Sequence, residues 1–275
     1  MQLGLKPVKP HSKTIKNHSV KPPFHRHAFH RINALSIDFK ELDYQKTPLG
    51  DISLRRRSEP RLDDRVLYEV KLGDEFLMSS LFTEAERQLT HLALAELNGD
   101  ELQVVVGGLG LGYTAAAALE HSAVTSLIVI DVMAPVIDWH RRGLVPLGKT
   151  LTDDPRCQLI EADFFAVSTN PDIGFDGSAK NSRVHAVLVD IDHSPSRWLN
   201  PGNGTFYTAV GLSSIARKLL PGGVFGLWSD DPEDDRFMEL LSSVFHTVSA
   251  HEVAFENPYT DAESTNTVYL ARTPN

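Results

Sequence analysis

The sequence predicts an α/β fold: a seven-stranded, mostly parallel sheet with helices on both faces, preceded by a small N-terminal β-domain. Three observations carry that prediction. Between Gln103 and Asp131 a strand, a glycine-rich turn, a helix, a second strand and a terminal acid follow one another. Strand-like and helix-like patterns then alternate, the signature of a parallel sheet. The last two strand patterns, His251–Phe255 and Thr267–Ala271, are joined by a turn alone, so the sheet ends in an antiparallel pair.

Residues 1–31 hold seven Lys or Arg and no acid, with little periodicity, and read as a disordered basic tail. His25, His27 and His30 are read as part of that solvated tail rather than as a metal cluster. The stretch lacks the apolar segment of a secretory signal. Residues 32–81 are assigned to the small β-domain. Ala34–Phe39 and Asp51–Arg55 are short strand candidates. Arg65–Val70 and Glu75–Met78 flank Lys71-Leu72-Gly73-Asp74, a hairpin turn.

The larger, Rossmann-like domain is assigned to 82–275. Thr83 and Glu86 have the spacing of a capping box. Ala85, Leu89, Leu92, Ala93 and Leu97 then recur at helical period. Beyond the glycine stretch come a helix over Pro135–Arg142, a strand over Gln158–Glu161 and a buried strand over Val184–Val189. A helix over Phe206–Leu220 is stopped by Pro221-Gly222-Gly223. A strand over Val224–Trp228 and a helix over Pro232–Phe245 precede the closing pair.

Composition narrows the function. The formal net charge is −9, and without the basic tail the remainder stands at 20 Lys or Arg against 36 acids. An acidic body argues against a nucleic-acid partner and suits a cationic substrate. The apolar runs are too short to span a membrane. Cys157 is the only cysteine, which leaves no disulfide framework and no cysteine metal site. A reducing, cytoplasmic setting is expected, without a metal.

The chemistry centres on Val104-Val105-Val106 followed by Gly107-Gly108-Leu109-Gly110-Leu111-Gly112 and an alanine-rich helix. Glycines there permit positive φ and close approach of a ligand, and the helix start offers free N–H groups. The dinucleotide pattern fits Gly110, Gly112 and Ala115. The S-adenosylmethionine pattern fits Gly108, Gly110 and Gly112, and the loop alone leaves both open. Asp131, Asp163 and then Asp190 with Asp192 end successive strands, where doubly wound sheets bind ligands. Asp131 lies at the distance from the glycines that suits two ribose hydroxyls. The closing antiparallel pair favours the seven-stranded sheet of S-adenosylmethionine enzymes, the class I methyltransferase fold.

Val104–Leu119, Ile130-Asp131, Glu161-Ala162-Asp163, Leu188 to Pro195, Phe206-Tyr207 and Leu219-Leu220-Pro221-Gly222-Gly223 together resemble the polyamine aminopropyltransferases, the spermidine synthase family. Gly73-Asp74-Glu75-Phe76 resembles the segment before that family's catalytic core. The resemblance implies decarboxylated S-adenosylmethionine as co-substrate and a small-molecule amine as partner. It implies Asp131 on the ribose, Asp163 on the adenine and Asp190 as the base that takes the amine's proton. Asp192 would anchor the distal ammonium, with Asp74, Glu75 and Tyr207 on the substrate side. A homodimer is left open.

Three departures fall mostly on the amine side. The family's Asp-Ser-x-Asp-Pro reads Asp190-Ile191-Asp192 here, its Tyr-His-Glu is replaced by Met78, Ser79 and Ser80, and Met133 stands two residues after the ribose acid. Methyl transfer from intact S-adenosylmethionine is the first rival reading, and a non-catalytic nucleoside-binding protein the second. Trp139 is expected to pack its helix, and His140 to be an exposed helix residue. Asp230 or Asp231 would bind an amine or cap the helix that follows.

Overall fold

Runs of buried branched residues place the central strands. A computed structural model describes residues 38–177, 182–260 and 262–275. The expected tail and most of the Ala34–Phe39 strand lie outside the described residues. The chain opens with four strands, β1 (Phe39–Thr47), β2 (Gly50–Glu59), β3 (Arg65–Leu72) and β4 (Glu75–Ser79). They form an antiparallel meander in the order β1-β2-β3-β4. The β3–β4 hairpin turns at Gly73, whose φ of 60° suits glycine.

Helix α1 (Glu84–Ala95) leads into β5 (Leu102–Gly107), α2 (Tyr113–Glu120) and β6 (Val124–Asp131). Then follow α3 (Ala134–Arg141), α4 (Gly148–Thr152), β7 (Cys157–Glu161), α5 (Phe164–Thr169) and β8 (Val184–Val189). The chain ends with α6 (Ala209–Lys218), β9 (Leu219–Ser229), α7 (Asp235–Ser242), β10 (Thr247–Asn257) and β11 (Ala262–Arg272). The seven strands β5 to β11 order as β10-β11-β9-β8-β5-β6-β7. Strands β5 to β9 run parallel, and β11 is antiparallel to both β9 and β10. This is the sheet that the sequence predicts, with its antiparallel end.

Both faces of the sheet are covered, as parallel strands require. Val104 and Val106 pack with α1, α2 and α3 residues such as Leu89, Ala115 and Trp139. Val105, between them, faces the other way and joins Phe206, Leu212 and Phe237. Trp139 is fully buried, as expected, and its indole N–H donates to Asp43 at 2.6 Å, tying α3 to the N-terminal sheet. The alanines of α2 keep that helix low on the sheet: Thr90 of α1 reaches across to donate to the Thr114 carbonyl at 2.8 Å. Among the described residues no helix is long and apolar enough to cross a membrane.

Three sequence expectations need correction. The helix expected over Phe206–Leu220 stops at Lys218, and Pro221-Gly222-Gly223 lies inside β9 as an irregularity. Gly222 has φ 71°, and the β8–β9 register shifts between Val184 and Ala186. The helix expected from Pro232 begins at Asp235, because Asp234 is the residue that caps it, accepting from the Arg236 and Phe237 N–H groups. The capping box of α1 does not form. Thr83 makes no side-chain cap bond, and Glu86 is buried, only 8% exposed.

Candidate active site

The crossover point of the sheet lies between β5 and β8, where β6 follows on one side and β9 on the other. Chain direction reverses its winding there, and helices cannot fill the crevice above the strand ends. A cavity of about 960 Å³ opens at this point. Its floor is the glycine loop and the ends of β6 and β8. Its roof is the N-terminal sheet, through Ile52, Val70, Leu77 and Met78, and one side is the β10–β11 hairpin.

Gly108, Gly110 and Gly112 have φ of 94°, 45° and 92°. Two of them, Gly108 and Gly110, reach the cavity wall. Protein neighbours alone already require them. A Cβ on Gly108 would fall on the Asp190 carbonyl oxygen. One on Gly110 would meet the Met78 sulfur, and one on Gly112 would lie 2.8 Å from Leu151. The loop is held from three sides. The Leu109 N–H donates to Asp131 at 2.8 Å, the Leu111 N–H donates to the Met78 sulfur at 3.0 Å, and His140 Nε2 lies 3.0 Å from the Gly110 carbonyl.

His140 is therefore not the exposed residue expected from sequence. It is completely buried beneath the loop, with Nδ1 unpartnered among the described residues. Burial holds its pKa below the ordinary 6.5, so the ring is neutral and Nε2–H donates to the carbonyl. A folded-state pKa below the unfolded one means that protonation opposes folding, and stability is lost as pH falls through the window below 6.5. His140→Gln keeps an N–H donor but cannot titrate. The melting temperature of the wild type should fall more steeply than that of the variant between pH 6.5 and the acid limb; parallel curves would contradict a buried neutral imidazole.

Asp131, Asp163 and Asp190 all reach the cavity wall. Asp131 accepts from the Leu109 and Met133 N–H groups at 2.8 and 2.7 Å. Desolvation raises its pKa, and these bonds offset part of the rise. Asp163 caps α5, accepting from the Ala166 N–H at 3.1 Å, and is otherwise exposed. Asp190 continues straight off β8, with its N–H on the Gly107 carbonyl at 2.8 Å. Its carboxylate accepts from the Thr114 hydroxyl at 2.6 Å. Burial pushes the Asp190 pKa above the usual carboxylate range, and the Thr114 bond lowers it in part.

Not all of the expected substrate side assembles. Asp192 is 1% exposed and does not reach the cavity. Its two oxygens accept from the Leu199 N–H at 2.7 Å, the Asn203 amide at 2.9 Å and the Tyr207 hydroxyl at 2.9 Å. Past the end of β8 the chain turns, so two-residue alternation no longer keeps Asp192 on the face of Asp190. Tyr207 is buried with it, away from the cavity. Asp74 is exposed on the β3–β4 turn and also off the wall. Glu75 is on the wall and pairs with His193 Nε2 at 2.7 Å.

Two wall residues were not read as part of the site: Glu86, taken for half of a capping box, and Arg197. Glu86 projects from α1 toward Asp190, and burial together with the Asp190 charge drives its pKa well up. Its signal was a single acid, Glu86, on a helix face that otherwise carries Leu89 and Ala93. Arg197 is bound on both sides, to Asp230 at 3.1 Å and to Asp231 at 2.8 Å. This pairing, rather than helix capping, is where Asp230 and Asp231 act.

No family model matches the chain. It is 26% identical over 179 residues to polyamine aminopropyltransferase 2 of Pseudomonas aeruginosa, a match covering 61% of this chain and 48% of that one. It is 26% identical over 180 residues to the polyamine aminopropyltransferase of Sulfurisphaera tokodaii, covering 64% and 52%. The chain thus spans about half the length of these two curated relatives. Among solved structures, a spermidine synthase in complex with the transition-state analogue AdoDATO superposes with a TM-score of 0.65 at 18% identity, covering 84% of this chain and 73% of the other. The spermidine synthase of Thermotoga maritima gives 0.62 at 17% identity, covering 84% and 72%. The seven-stranded sheet and the small antiparallel sheet above its crevice agree with these comparisons: the chain is similar in sequence to polyamine aminopropyltransferases and has the fold of the spermidine synthases.

Proposed function

We propose that this chain moves an aminopropyl group from decarboxylated S-adenosylmethionine to a small-molecule amine, with Asp190 as the base. The observation that carries this reading is the Asp190 carboxylate. It stands at the crossover point, fixed by Thr114, on the wall of the cavity and without a cationic partner among the described residues. A primary alkylamine is almost wholly protonated at neutral pH and is then no nucleophile. A carboxylate with an elevated pKa attracts the cation and takes its proton. The nitrogen lone pair then bonds to the methylene beside the sulfonium, the C–S bond breaks, and sulfur keeps the electron pair as a neutral thioether.

In this reading Gly108 and Gly110 leave room for the nucleoside, Asp131 takes the ribose hydroxyls and Asp163 the adenine amino group. The wall carries acids from both sheets, and Arg197, its arginine, is already neutralised by two aspartates. An intact donor would bring a carboxylate into that surrounding, which supports the decarboxylated form. A reducing, cytoplasmic setting fits the single free thiol of Cys157.

The test is product formation. Decarboxylated donor with putrescine should yield methylthioadenosine and the aminopropylated amine. Thioether released only from intact donor would move the chain to methyl transfer, and release from neither would leave a nucleoside-binding protein. For the ribose contact, Asp131→Ala should weaken nucleoside binding roughly ten- to a hundredfold, because hydrogen bonds to charged groups are worth about 1.5–3 kcal/mol. Calorimetry with a dideoxy nucleoside checks the pairing: it should lose little further affinity in the variant, and a full additional loss would break the assignment.

A further inference from the structure

The second acid that the sequence offered for the acceptor, Asp192, is saturated with three donors outside the cavity. Another carboxylate stands on the wall instead. Glu86 is 8% exposed, reaches the cavity, and has no side-chain partner among the described residues. A carboxylate that deep, with neither a cation nor a donor from a neighbour, is unfavourable unless a ligand completes it. The charged and titratable groups that face it are Asp190 from the end of β8, Tyr113 from the start of α2 and Glu84 on its own helix. None is a cation.

We propose that Glu86 and Asp190 together form the site for the acceptor's ammonium group, Glu86 acting as the second carboxylate in place of Asp192. The reacting nitrogen belongs to the transfer reading above; binding of an amine between the two carboxylates does not depend on it. Two buried carboxyl groups facing one cavity resist double ionisation, so the free site retains a proton near neutral pH. A bound ammonium brings a positive charge between them, and the retained proton leaves to solvent. During transfer Asp190 takes one proton from the ammonium, the N–C bond forms as the C–S bond breaks, and Glu86 keeps its charge beside the newly formed ammonium. The atoms balance without a further reactant.

The experiment is calorimetric titration of the full chain, loaded with methylthioadenosine, with putrescine in buffers of different ionisation enthalpy. This gives affinity and the number of protons released. Glu86→Gln should bind putrescine roughly 10- to 100-fold more weakly, as expected for losing a hydrogen bond to a charged group, and should release fewer protons. Nucleoside affinity should stay unchanged. The variant should be no less stable at neutral pH. Burial lifts the Glu86 pKa above the ordinary 4.5 in the folded state, so its ionisation opposes folding above that pH. If it does not fold, Glu86→Met, which suits the apolar face of α1, takes its place. Unchanged putrescine affinity and proton release in a folded variant would overturn the proposal. So would failure of both variants to fold, or absence of putrescine binding to the wild type. A wild type that binds putrescine through Glu86 but forms no product would sink the transfer reading alone.

Discussion

Asp190→Asn should lower turnover at least about 10²-fold, the usual contribution of a general base, while nucleoside affinity changes little. The side chain keeps its size, and its amide oxygen can still accept from the Thr114 hydroxyl, now at 2.6 Å. What disappears is the charge that attracts the ammonium and the lone pair that accepts its proton. Turnover and donor affinity must be measured on the same folded variant. Near-wild-type turnover would end the catalytic claim, and a collapse in donor affinity would move Asp190 to the nucleoside side. The pH profile offers a second check. Because desolvation lifts the Asp190 pKa above the ordinary 3.8, the base is fully formed only above that elevated value, and the rate should decline on the acid side earlier than for an ordinary aspartate.

Gly108→Ala is expected to produce the largest loss of stability of any single methyl addition in the loop. At φ 94° an L-residue is strained by about 1–3 kcal/mol. The added Cβ would also land on the Asp190 carbonyl oxygen, a backbone atom of the residue whose N–H is held on the Gly107 carbonyl. Overpacking typically adds another 1–3 kcal/mol. For a chain of this size the melting temperature should fall by roughly 5–20 °C. Gly73→Ala is the control: φ is 60°, but nothing lies within 4 Å of the new methyl. It should lose about 1 kcal/mol from the backbone alone. Equal effects of the two substitutions would show that the Gly108 contact is not rigid.

The order of strands, the glycine turn and the acids on β6, β7 and β8 were all legible, because period, punctuation and strand-end position are local properties of the chain. What escaped was decided by packing between distant segments. The spacing of Thr83 and Glu86 matches a capping box, yet Glu86 shares its buried helix face with Leu89 and Ala93, which pack in the core while Glu86 itself reaches the cavity wall. His140 looked exposed because Trp139-His140-Arg141-Arg142 is polar, yet α3 passes beneath a loop whose carbonyl needs a donor. Asp192 was misplaced for a different reason. Its side depends on how the chain bends after Val189, and a loop bend has no period to read.

The roof of the cavity is fastened to its side wall by residues from opposite ends of the described chain. Arg57 of β2 donates to the Tyr259 hydroxyl at 2.9 Å, and that hydroxyl donates to Glu59 at 2.9 Å. Phe82 packs on Phe255 with ring centroids 5.5 Å apart. The first of these contacts spans 202 positions. Closing so long a loop adds only about 0.6 kcal/mol per doubling of its length, but contacts of that separation are slow to form. The central strands and the glycine loop can assemble from residues near one another in sequence, whereas the roof finds its clasp only when the final hairpin has docked. During refolding, burial of the central tryptophan should therefore precede the ability to bind amine, and the interval between the two signals measures how long the last hairpin takes to arrive.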